Sequence, residues 1–221
     1  MLQQALKIAI LFMAIKKITI QQFADFPVHL PVFDVRSPGE YNHAHIPGAY
    51  SLPLFSDEER KIVGTAYKQL GKQKAIKHGL DFFGVKMKAM VEQAEAMVTE
   101  HASMHTAASK QNNSIVVHCW RGGMRSAGVA WLLDLYGFDV YTIIGGYKAY
   151  RNWVLKQFEQ PYELSVIGGY TGSGKTELIA QLQQLHHAVI DLEQLANHKG
   201  SAFGNNGTQP TQEMFENKLA Q

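Results

Sequence analysis

The chain has 221 residues, of which 46% are hydrophobic and 18% charged, so it has enough apolar material for one large domain or two small ones. Lys and Arg number 21 against 19 Asp and Glu. The resulting net charge of +2 is too small to attract nucleic acid to the protein as a whole, although a local basic patch is compatible with it. The single cysteine excludes an internal disulfide and indicates a reducing, cytoplasmic location.

Residues 1–25 are interpreted as an N-terminal extension. The apolar stretch "IAILFMAI" (8–15) ends at Lys16 and Lys17 and is shorter than the roughly 18 residues that a membrane span requires. No small-residue cleavage site follows it. We therefore expect neither a cleaved signal peptide nor a membrane anchor.

The remaining elements predict an α/β fold in two parts, a parallel-sheet domain over residues 26–160 and the start of a second α/β domain over 161–221. A strand is expected within 28–36, and the capping-box pair Ser56 and Glu59 predicts a helix over 57–71. A long helix is expected over 72–104, with breaks near Gly79 and Gly84. Three strand-loop-helix units follow, and such alternation predicts parallel strands. Their expected strands are 115–118, 138–143 and 163–169, and their helices are 126–136, 148–158 and a segment from Lys175.

The stretch "SIVVHCWRGGMRS" (114–126) holds the cysteine, Cys119, directly after a predicted strand. Ligand sites of open α/β sheets lie at this end of the strands. Glycines after the thiol permit a nest of backbone N–H groups, and arginines beside it are expected to lower the thiol pKa. The residues predicted to cradle an anion are Trp120, Arg121, Gly122, Gly123, Met124 and Arg125. A buried, unreactive cysteine is the alternative, which two arginines and two glycines make less favourable.

Two chemistries fit this loop. It satisfies the His-Cys-x-x-Gly-x-x-Arg-Ser pattern of cysteine phosphatases, and it resembles the active loop of a rhodanese. Upstream "DVRSPGEYNHAHIPGAYSLPL" (34–54) and downstream "IGGYKAY" (144–150) resemble rhodanese segments and favour that fold. However, five residues separate Cys119 from Arg125, where simple single-domain rhodaneses usually have four. A phosphatase or a thiosulfate sulfurtransferase therefore remains the alternative.

The segment "GYTGSGKT" (169–176) fits the P-loop pattern, with a strand expected before it and a helix after it. Its backbone would surround a diphosphate or triphosphate, Lys175 would neutralise terminal oxygens, and Thr176 would coordinate Mg²⁺. The predicted diphosphate-binding residues are Gly169, Gly172, Ser173, Gly174, Lys175 and Thr176. Asp191 ends a second expected strand over 188–193, where it either assists the metal or substrate or is a solvated strand end.

The motifs thus indicate a rhodanese-like parallel-sheet domain over residues 26–160, followed by the start of a P-loop NTPase-like α/β domain over 161–221. This combination resembles the tRNA 2-selenouridine synthase family over about residues 26–221. The segments that carry this resemblance are "DEERKIVGTAYKQLG", "CWRGGMRS", "GGYTGSGKT" and "DLEQLANHKGSAFG". The family's longer chains imply a C-terminal truncation here, so an inactive remnant is a further alternative.

The resemblance implies that selenium replaces sulfur at C2 of the wobble 2-thiouridine in tRNA, through an S-geranylated intermediate. Geranyl diphosphate and selenophosphate would be the substrates, with no tightly bound cofactor apart from possible Mg²⁺. Cys119 would carry selenium as a perselenide. The expected partners are the tRNA anticodon loop and an enzyme that supplies selenophosphate, and no membrane is involved.

The segment 147–156 interleaves aromatic and basic residues, which suits either RNA stacking or packing against the sheet. Packing is slightly favoured, because the aromatic residues recur at helical spacing.

Overall fold

The computed structural model of the chain describes residues 15–26, 30–104, 113–170, 172–198 and 207–221. The chain divides into two compact units, one up to Trp153 and one from Val154 onward. The predicted domain limits of 26–160 and 161–221 stay a prediction. Among the described residues, no helix is long and apolar enough to cross a membrane.

The first unit is built on a five-stranded sheet whose neighbouring strands are all parallel, in the order β1-β5-β4-β2-β3. This confirms the predicted α/β class. All five side chains of the central strand β4 are buried, as expected for a parallel strand covered on both faces. The strands are β1 Lys16–Ile18, β2 Val32–Asp34, β3 Tyr50–Ser51, β4 Ser114–His118 and β5 Asp139–Ile143.

Residues 16–18, assigned above to the N-terminal extension, form the edge strand β1. This strand pairs with β5, and the Nζ of Lys16 lies 2.9 Å from a carboxylate oxygen of Asp139. Thr19 then caps the next helix through a capping box with Gln22. Residues 1–14, and with them nearly all of the apolar run, lie outside the described residues, as do 27–29.

Six described helices begin in the first unit. They are α1 Ile20–Ala24, α2 Pro38–His43, α3 Asp57–Gln69, α4 Lys72–Met104, α5 Met124–Tyr136 and α6 Gly146–Gln157. Ser56 and Glu59 form the predicted capping box of α3, because the Ser56 hydroxyl accepts from the Glu59 N–H and the Glu59 carboxylate accepts from the Ser56 N–H.

The predicted breaks near Gly79 and Gly84 are wrong, because α4 runs uninterrupted over 33 residues. A helical glycine costs only about 1 kcal/mol relative to alanine, which burial of one face of the helix outweighs. Gly79 also has a packing reason, since a Cβ at this position would lie 3.3 Å from Cζ of Phe55. The buried face of α4 consists of Ala75, Phe83, Met90 and Ala94.

The second unit contains the described helices α7 Lys175–Gln184, α8 Leu192–Ala196 and α9 Gln212–Leu219. The strands expected at 163–169 and at 188–193 are not formed, so both predictions are wrong. A strand requires a partner strand for its backbone hydrogen bonds, and neither segment has one among the described residues. The apolar side chains of the first segment accordingly face solvent, with Val166 91% exposed.

Candidate active site

Cys119 lies immediately beyond the carboxyl end of β4, in the middle of the sheet. The loop from Trp120 to Gly123 connects it to the N-terminus of α5. The neighbouring strands β2 and β5 end beside β4 and contribute their own following loops to this edge of the sheet. The structure therefore places the thiol at the position where parallel α/β sheets bind ligands.

The beginning of α6 determines the backbone orientation of this loop. The N–H groups of Tyr147 and Lys148 donate to the carbonyls of Cys119 and Trp120, each at 2.9 Å. Because a trans peptide points its carbonyl and the following N–H in opposite directions, the N–H groups of Trp120 and Arg121 point away from α6. The α6 contact thus keeps amides of the loop available for an anion.

Gly146 makes this close approach possible. Its φ is +57°, and a Cβ there would lie 2.2 Å from the carbonyl oxygen of Cys119 and 2.5 Å from the nitrogen of Gly122. Only glycine fits such a position without displacing the loop. The segment "IGG" resembles the end of a rhodanese domain, and its structural role is to support the cysteine loop from behind.

Cys119 is 97% buried, with 3% of its surface exposed. Burial raises the pKa of its thiol, but hydrogen bonds to the Ser126 hydroxyl and to backbone N–H groups of Ser126 and Gly123 outweigh burial. The Arg125 guanidinium adds a smaller lowering contribution, and the net pKa of Cys119 lies below its ordinary value. The N-terminal end of α5 supplies these amides, as expected for a reactive rather than an inert cysteine.

Ser126 is a functional candidate that the sequence analysis did not single out. Its Oγ lies 3.3 Å from the Sγ of Cys119 and donates to the Gly123 carbonyl at 3.1 Å. A hydroxyl has one hydrogen to donate. When the thiol ionises, that hydrogen can turn from the carbonyl to the thiolate and stabilise it.

Replacing Ser126 with alanine is expected to raise the pKa of Cys119, because the thiolate then loses a hydroxyl donor. The pH dependence of iodoacetamide alkylation measures this pKa directly, and its midpoint is expected to move to higher pH. Ser126→Thr keeps the hydroxyl and is the matched control. An unchanged midpoint in Ser126→Ala would exclude Ser126 from stabilising the thiolate.

Arg125 is held by an ion pair that links three elements. Its Nη1 donates to Glu40 at 2.7 Å, and Nε of Arg60 lies 3.6 Å from the same carboxylate. Burial raises the pKa of Glu40, but Arg125, together with the Ser37 N–H and Arg60, brings the net pKa below its ordinary value, so Glu40 is charged at neutral pH. Arg125 keeps further N–H donors for an anion, because a guanidinium has five. Arg121 is exposed.

A buried charged pair lies beneath the loop. Arg36 donates through Nε and Nη2 to the carboxylate of Asp34 and also to the carbonyl of Ala44 at 2.7 Å. Its guanidinium carbon lies 3.8 Å from the centre of the Tyr147 ring. Burial raises the pKa of Asp34, but the hydrogen bonds and positive charge of Arg36 help to bring the net pKa below its ordinary value. The pair joins the end of β2 to the first turn of α6 and so supports the loop indirectly.

His118 precedes the cysteine and is completely buried. Burial lowers the pKa of its imidazole, which Asp34 offsets only in part, so the ring is neutral at pH 7. Its Nε2 lies 3.9 Å from a carboxylate oxygen of Asp34, and within the described part of the chain neither ring nitrogen has a hydrogen-bond partner. His118 therefore has no geometry for moving a proton to or from Cys119.

Two of the aromatic residues in the segment 147–156, which was considered for RNA stacking, are buried. Tyr147 and Tyr150 are 0% and 2% exposed and form part of the packing of the first unit. Neither ring is available to a base. The packing interpretation of 147–156 is therefore correct for these two residues.

The P-loop segment curls around the start of α7. Gly172 and Gly174 adopt left-handed conformations with φ of +81° and +84°, and Gly174 is the N-cap of α7. The Lys175 ammonium donates to the carbonyls of Gly169 and Tyr170 at 2.9 and 3.0 Å. Gly169 and Ser173 approach closely, since a Cβ at Gly169 would lie 2.6 Å from Oγ of Ser173. Thr171 lies outside the described residues.

The two candidate metal ligands lie at the starts of two different helices. Thr176 is an exposed residue in the first turn of α7. Asp191 is the N-cap of α8 and accepts a hydrogen bond from the Gln194 N–H at 3.0 Å. The sequence instead predicts that Asp191 ends a strand. Among the described residues, no group of three or more His, Cys, Asp or Glu side chains could hold a metal ion.

A thiol of lowered pKa, set among backbone amides at the end of a parallel strand, is typical of cysteine-dependent α/β domains that act on anions. The chain belongs to the rhodanese-like domain family, whose sequence model matches residues 19–152. Residues 162–221 match the tRNA 2-selenouridine synthase AAA domain.

Curated relatives are about 40% identical to this chain. A tRNA 2-selenouridine synthase of Ectopseudomonas mendocina (strain ymp) is 42% identical over 195 residues, which are 86% of this chain and 48% of the relative. One of Bdellovibrio bacteriovorus is 41% identical over 214 residues, which are 94% of this chain and 53% of the relative. The chain thus spans about half the length of the curated relatives it matches.

A solved structure resembles part of this chain. It is the N-terminal domain of a candidate ATP/GTP binding protein from Clostridium difficile 630, at 39% identity and a TM-score of 0.54. The match covers 63% of this chain and 99% of that domain.

Proposed function

We propose that this chain carries the cysteine loop and the P-loop of a tRNA 2-selenouridine synthase. The observation that carries the proposal is the presence of two anion-binding loops in one chain, a thiolate loop of phosphatase length and a lysine-containing P-loop. The names of the relatives, and the match of residues 162–221 to the tRNA 2-selenouridine synthase AAA domain, support the tRNA substrate. The reaction replaces sulfur by selenium at C2 of the wobble 2-thiouridine, in two steps.

In the first step, the C2 sulfur attacks the first carbon of geranyl diphosphate. A carbon–sulfur bond forms, the carbon–oxygen bond breaks, and diphosphate leaves. The P-loop amides and the Lys175 ammonium bind this leaving group and offset its developing charge. Mg²⁺, if bound, would contact Thr176 and take its other ligands from the diphosphate and water, and it would add further positive charge there.

In the second step, selenium from selenophosphate takes the place of the geranylthiol. The Cys119 thiolate attacks phosphorus, which forms a sulfur–phosphorus bond and releases hydrogen selenide. The selenide attacks C2 of the S-geranylated base, the carbon–sulfur bond breaks, and geranylthiol leaves. Water then hydrolyses the cysteinyl phosphate to inorganic phosphate. The loop from Trp120 to Arg125 holds the tetrahedral anion during the attack.

The expected perselenide at Cys119 is less favourable on redox grounds. Selenium has the same oxidation level in selenophosphate and in the product, so attack at phosphorus needs no oxidant or reductant. A perselenide formed from the same donor requires selenium to lose electrons, for example to phosphorus leaving as phosphite. ³¹P NMR of the reaction distinguishes the two routes, because phosphate is expected and phosphite would support the perselenide.

Lys175→Ala is expected to reduce S-geranylation by at least about 100-fold, because the leaving diphosphate loses its neutralising ammonium. Quantifying S-geranylated nucleoside after enzymatic digestion of the RNA measures this loss. Lys218→Ala removes an exposed charge from α9 of the same unit and is the matched control. Equal rates in the two variants would show that Lys175 does not bind the diphosphate.

A second candidate function rests on the loop length. Five residues between Cys119 and Arg125 suit a cysteine phosphatase as well as a selenophosphate-processing loop. Turnover of para-nitrophenyl phosphate or of thiosulfate that depends on Cys119 would support a phosphatase or a sulfurtransferase respectively.

The proposal is tested by incubating the chain with 2-thiouridine-containing tRNA, geranyl diphosphate and selenophosphate, followed by mass spectrometry of the nucleosides. The Ectopseudomonas mendocina synthase serves as the positive control. Both S-geranyl-2-thiouridine and 2-selenouridine are expected. Absence of both with this chain, while the control makes them, would reject the proposal and favour the inactive remnant.

A further inference from the structure

The hairpin formed by α3 and α4 concentrates positive charge. Residues 60–80 contain six Lys and Arg residues and no Asp or Glu, although the whole chain has a net charge of only +2. The nearest acidic residues lie in the first turn of α3 and at Asp81 on α4. We call the basic cluster the hairpin lysines; it consists of Lys61, Lys68, Lys72, Lys74 and Lys77.

All five hairpin lysines are exposed, and none forms an ion pair with a carboxylate of the described residues. Elsewhere in this unit, Lys16, Lys86 and Lys88 pair with Asp139, Glu59 and Glu92 respectively. Lys72 and Lys74 also occupy the first turn of α4, where the helix dipole disfavours cations and no acidic residue compensates. An anionic partner bound to the hairpin lysines would reduce the repulsion among them and with the helix dipole of α4.

The hairpin is rigid and fixed to the core of the first unit. Gly71 makes the turn between the helices with φ of +86°, and Ala66 and Ala75 are buried on either side of it. Lys86 on α4 donates to Glu59 at the start of α3. Farther along α4, Phe83 and Met90 are part of the hydrophobic core. A partner therefore meets the lysines in a nearly fixed arrangement.

The base of the hairpin lies next to the cysteine loop. Arg60 in the first turn of α3 and Arg125 of the loop both contact the carboxylate of Glu40, at 3.6 and 2.7 Å. A helix of 13 residues such as α3 is about 20 Å long. The basic surface of the hairpin therefore starts beside the cysteine loop and extends roughly 20 Å along α3.

We propose that the hairpin lysines bind the phosphate backbone of RNA whose target base is presented to the cysteine loop. The assignment rests on the proposed function and adds to it the surface that holds the substrate. Repeated exposed lysines without acidic neighbours suit a backbone that carries one negative charge per nucleotide. Tyr67, which is 52% exposed on α3, offers a ring for stacking on an unpaired base.

The test compares two triple variants of matched size by fluorescence anisotropy. Lys68, Lys72 and Lys74 are replaced by alanine in one variant, and Lys17, Lys88 and Lys156 in the control variant. The probe is a labelled anticodon stem-loop RNA containing 2-thiouridine. The hairpin variant is expected to bind at least about tenfold more weakly at low salt. Its plot of log affinity against log salt is expected to lose about 3 units of slope.

The control variant is expected to keep the affinity and the salt slope of the parent chain. Equal affinity in all three proteins, or equal loss in both variants, would overturn the assignment. Lysine-dependent binding to phosphatidylserine vesicles with unchanged RNA affinity would also overturn it and indicate a lipid surface. Binding is measured without selenophosphate or geranyl diphosphate, so its outcome is separate from the nucleoside assay that tests the proposed function.

Discussion

Replacing Cys119 with serine is expected to abolish the formation of 2-selenouridine while leaving S-geranylation intact. A serine hydroxyl fits the space of the thiol but is not ionised at neutral pH, so the amides of Gly123 and Ser126 no longer face a charged nucleophile. Removal of a covalent nucleophile typically costs at least about 10³-fold in rate. S-geranylation depends on the P-loop in this mechanism and does not use the thiol.

The two products are measured in the same digest by mass spectrometry, so the S-geranylated nucleoside reports whether the variant protein is folded and binds tRNA. Ala127→Ser adds a hydroxyl at an exposed position on α5, close in sequence to the loop, and is the matched control. A Cys119→Ser protein that makes 2-selenouridine at the parent rate would remove the thiolate from the mechanism.

Arg36→Ala is expected to destabilise the first unit by about 3–5 kcal/mol. The substitution leaves Asp34 as a buried carboxylate without its guanidinium partner, and uncompensated buried charges carry costs of this size. The Tyr147 ring also loses the cation against which it packs. In thermal unfolding followed by circular dichroism, a loss of this size lowers the midpoint by roughly 10 °C.

Arg60→Ala provides the control, because Arg60 is partly exposed and pairs with Glu40 at 3.6 Å. Its removal is expected to cost no more than about 1 kcal/mol. The double variant Asp34→Leu with Arg36→Leu removes both charges and is expected to be more stable than Arg36→Ala. If Arg36→Ala were as stable as Arg60→Ala, the buried pair would not support the fold.

The pH dependence of this contribution follows from the lowered pKa of Asp34. A carboxyl whose folded pKa lies below its unfolded value of 3.8 stabilises the fold at neutral pH. That stability is lost as the pH falls through the folded pKa. The stability lost in Arg36→Ala, relative to the parent chain, is therefore expected to be smaller in strong acid than at neutral pH.

The central part of the first unit could be predicted from sequence because its signals are local. "SIVVH" is a continuous apolar and β-branched run, which is typical of a buried parallel strand, and a glycine-containing loop and a helix follow it. Ser56 and Glu59 likewise marked the start of α3 through their spacing alone. Patterns of this kind need no information about distant residues.

The features that the sequence did not reveal depend on residues far apart in the chain. Glu40 and Arg125 are 85 positions apart, and only the fold brings the carboxylate to the loop. Residues 16–18 form a strand because β5 lies beside them. The converse holds at 163–169, where an apolar run predicts a strand but no described strand pairs with it. Ser126 could have been found from its place in the loop motif.

In the proposed reaction, two loops of one chain carry out successive steps on the same base. The most direct measurement supplies RNA that already contains S-geranyl-2-thiouridine, together with selenophosphate, and quantifies 2-selenouridine. We expect Lys175→Ala to make 2-selenouridine from this RNA but not from 2-thiouridine RNA and geranyl diphosphate, and Cys119→Ser to make it from neither. Parent-like product formation by Cys119→Ser, or failure of Lys175→Ala on both RNAs, would reject the assignment of one step to each loop.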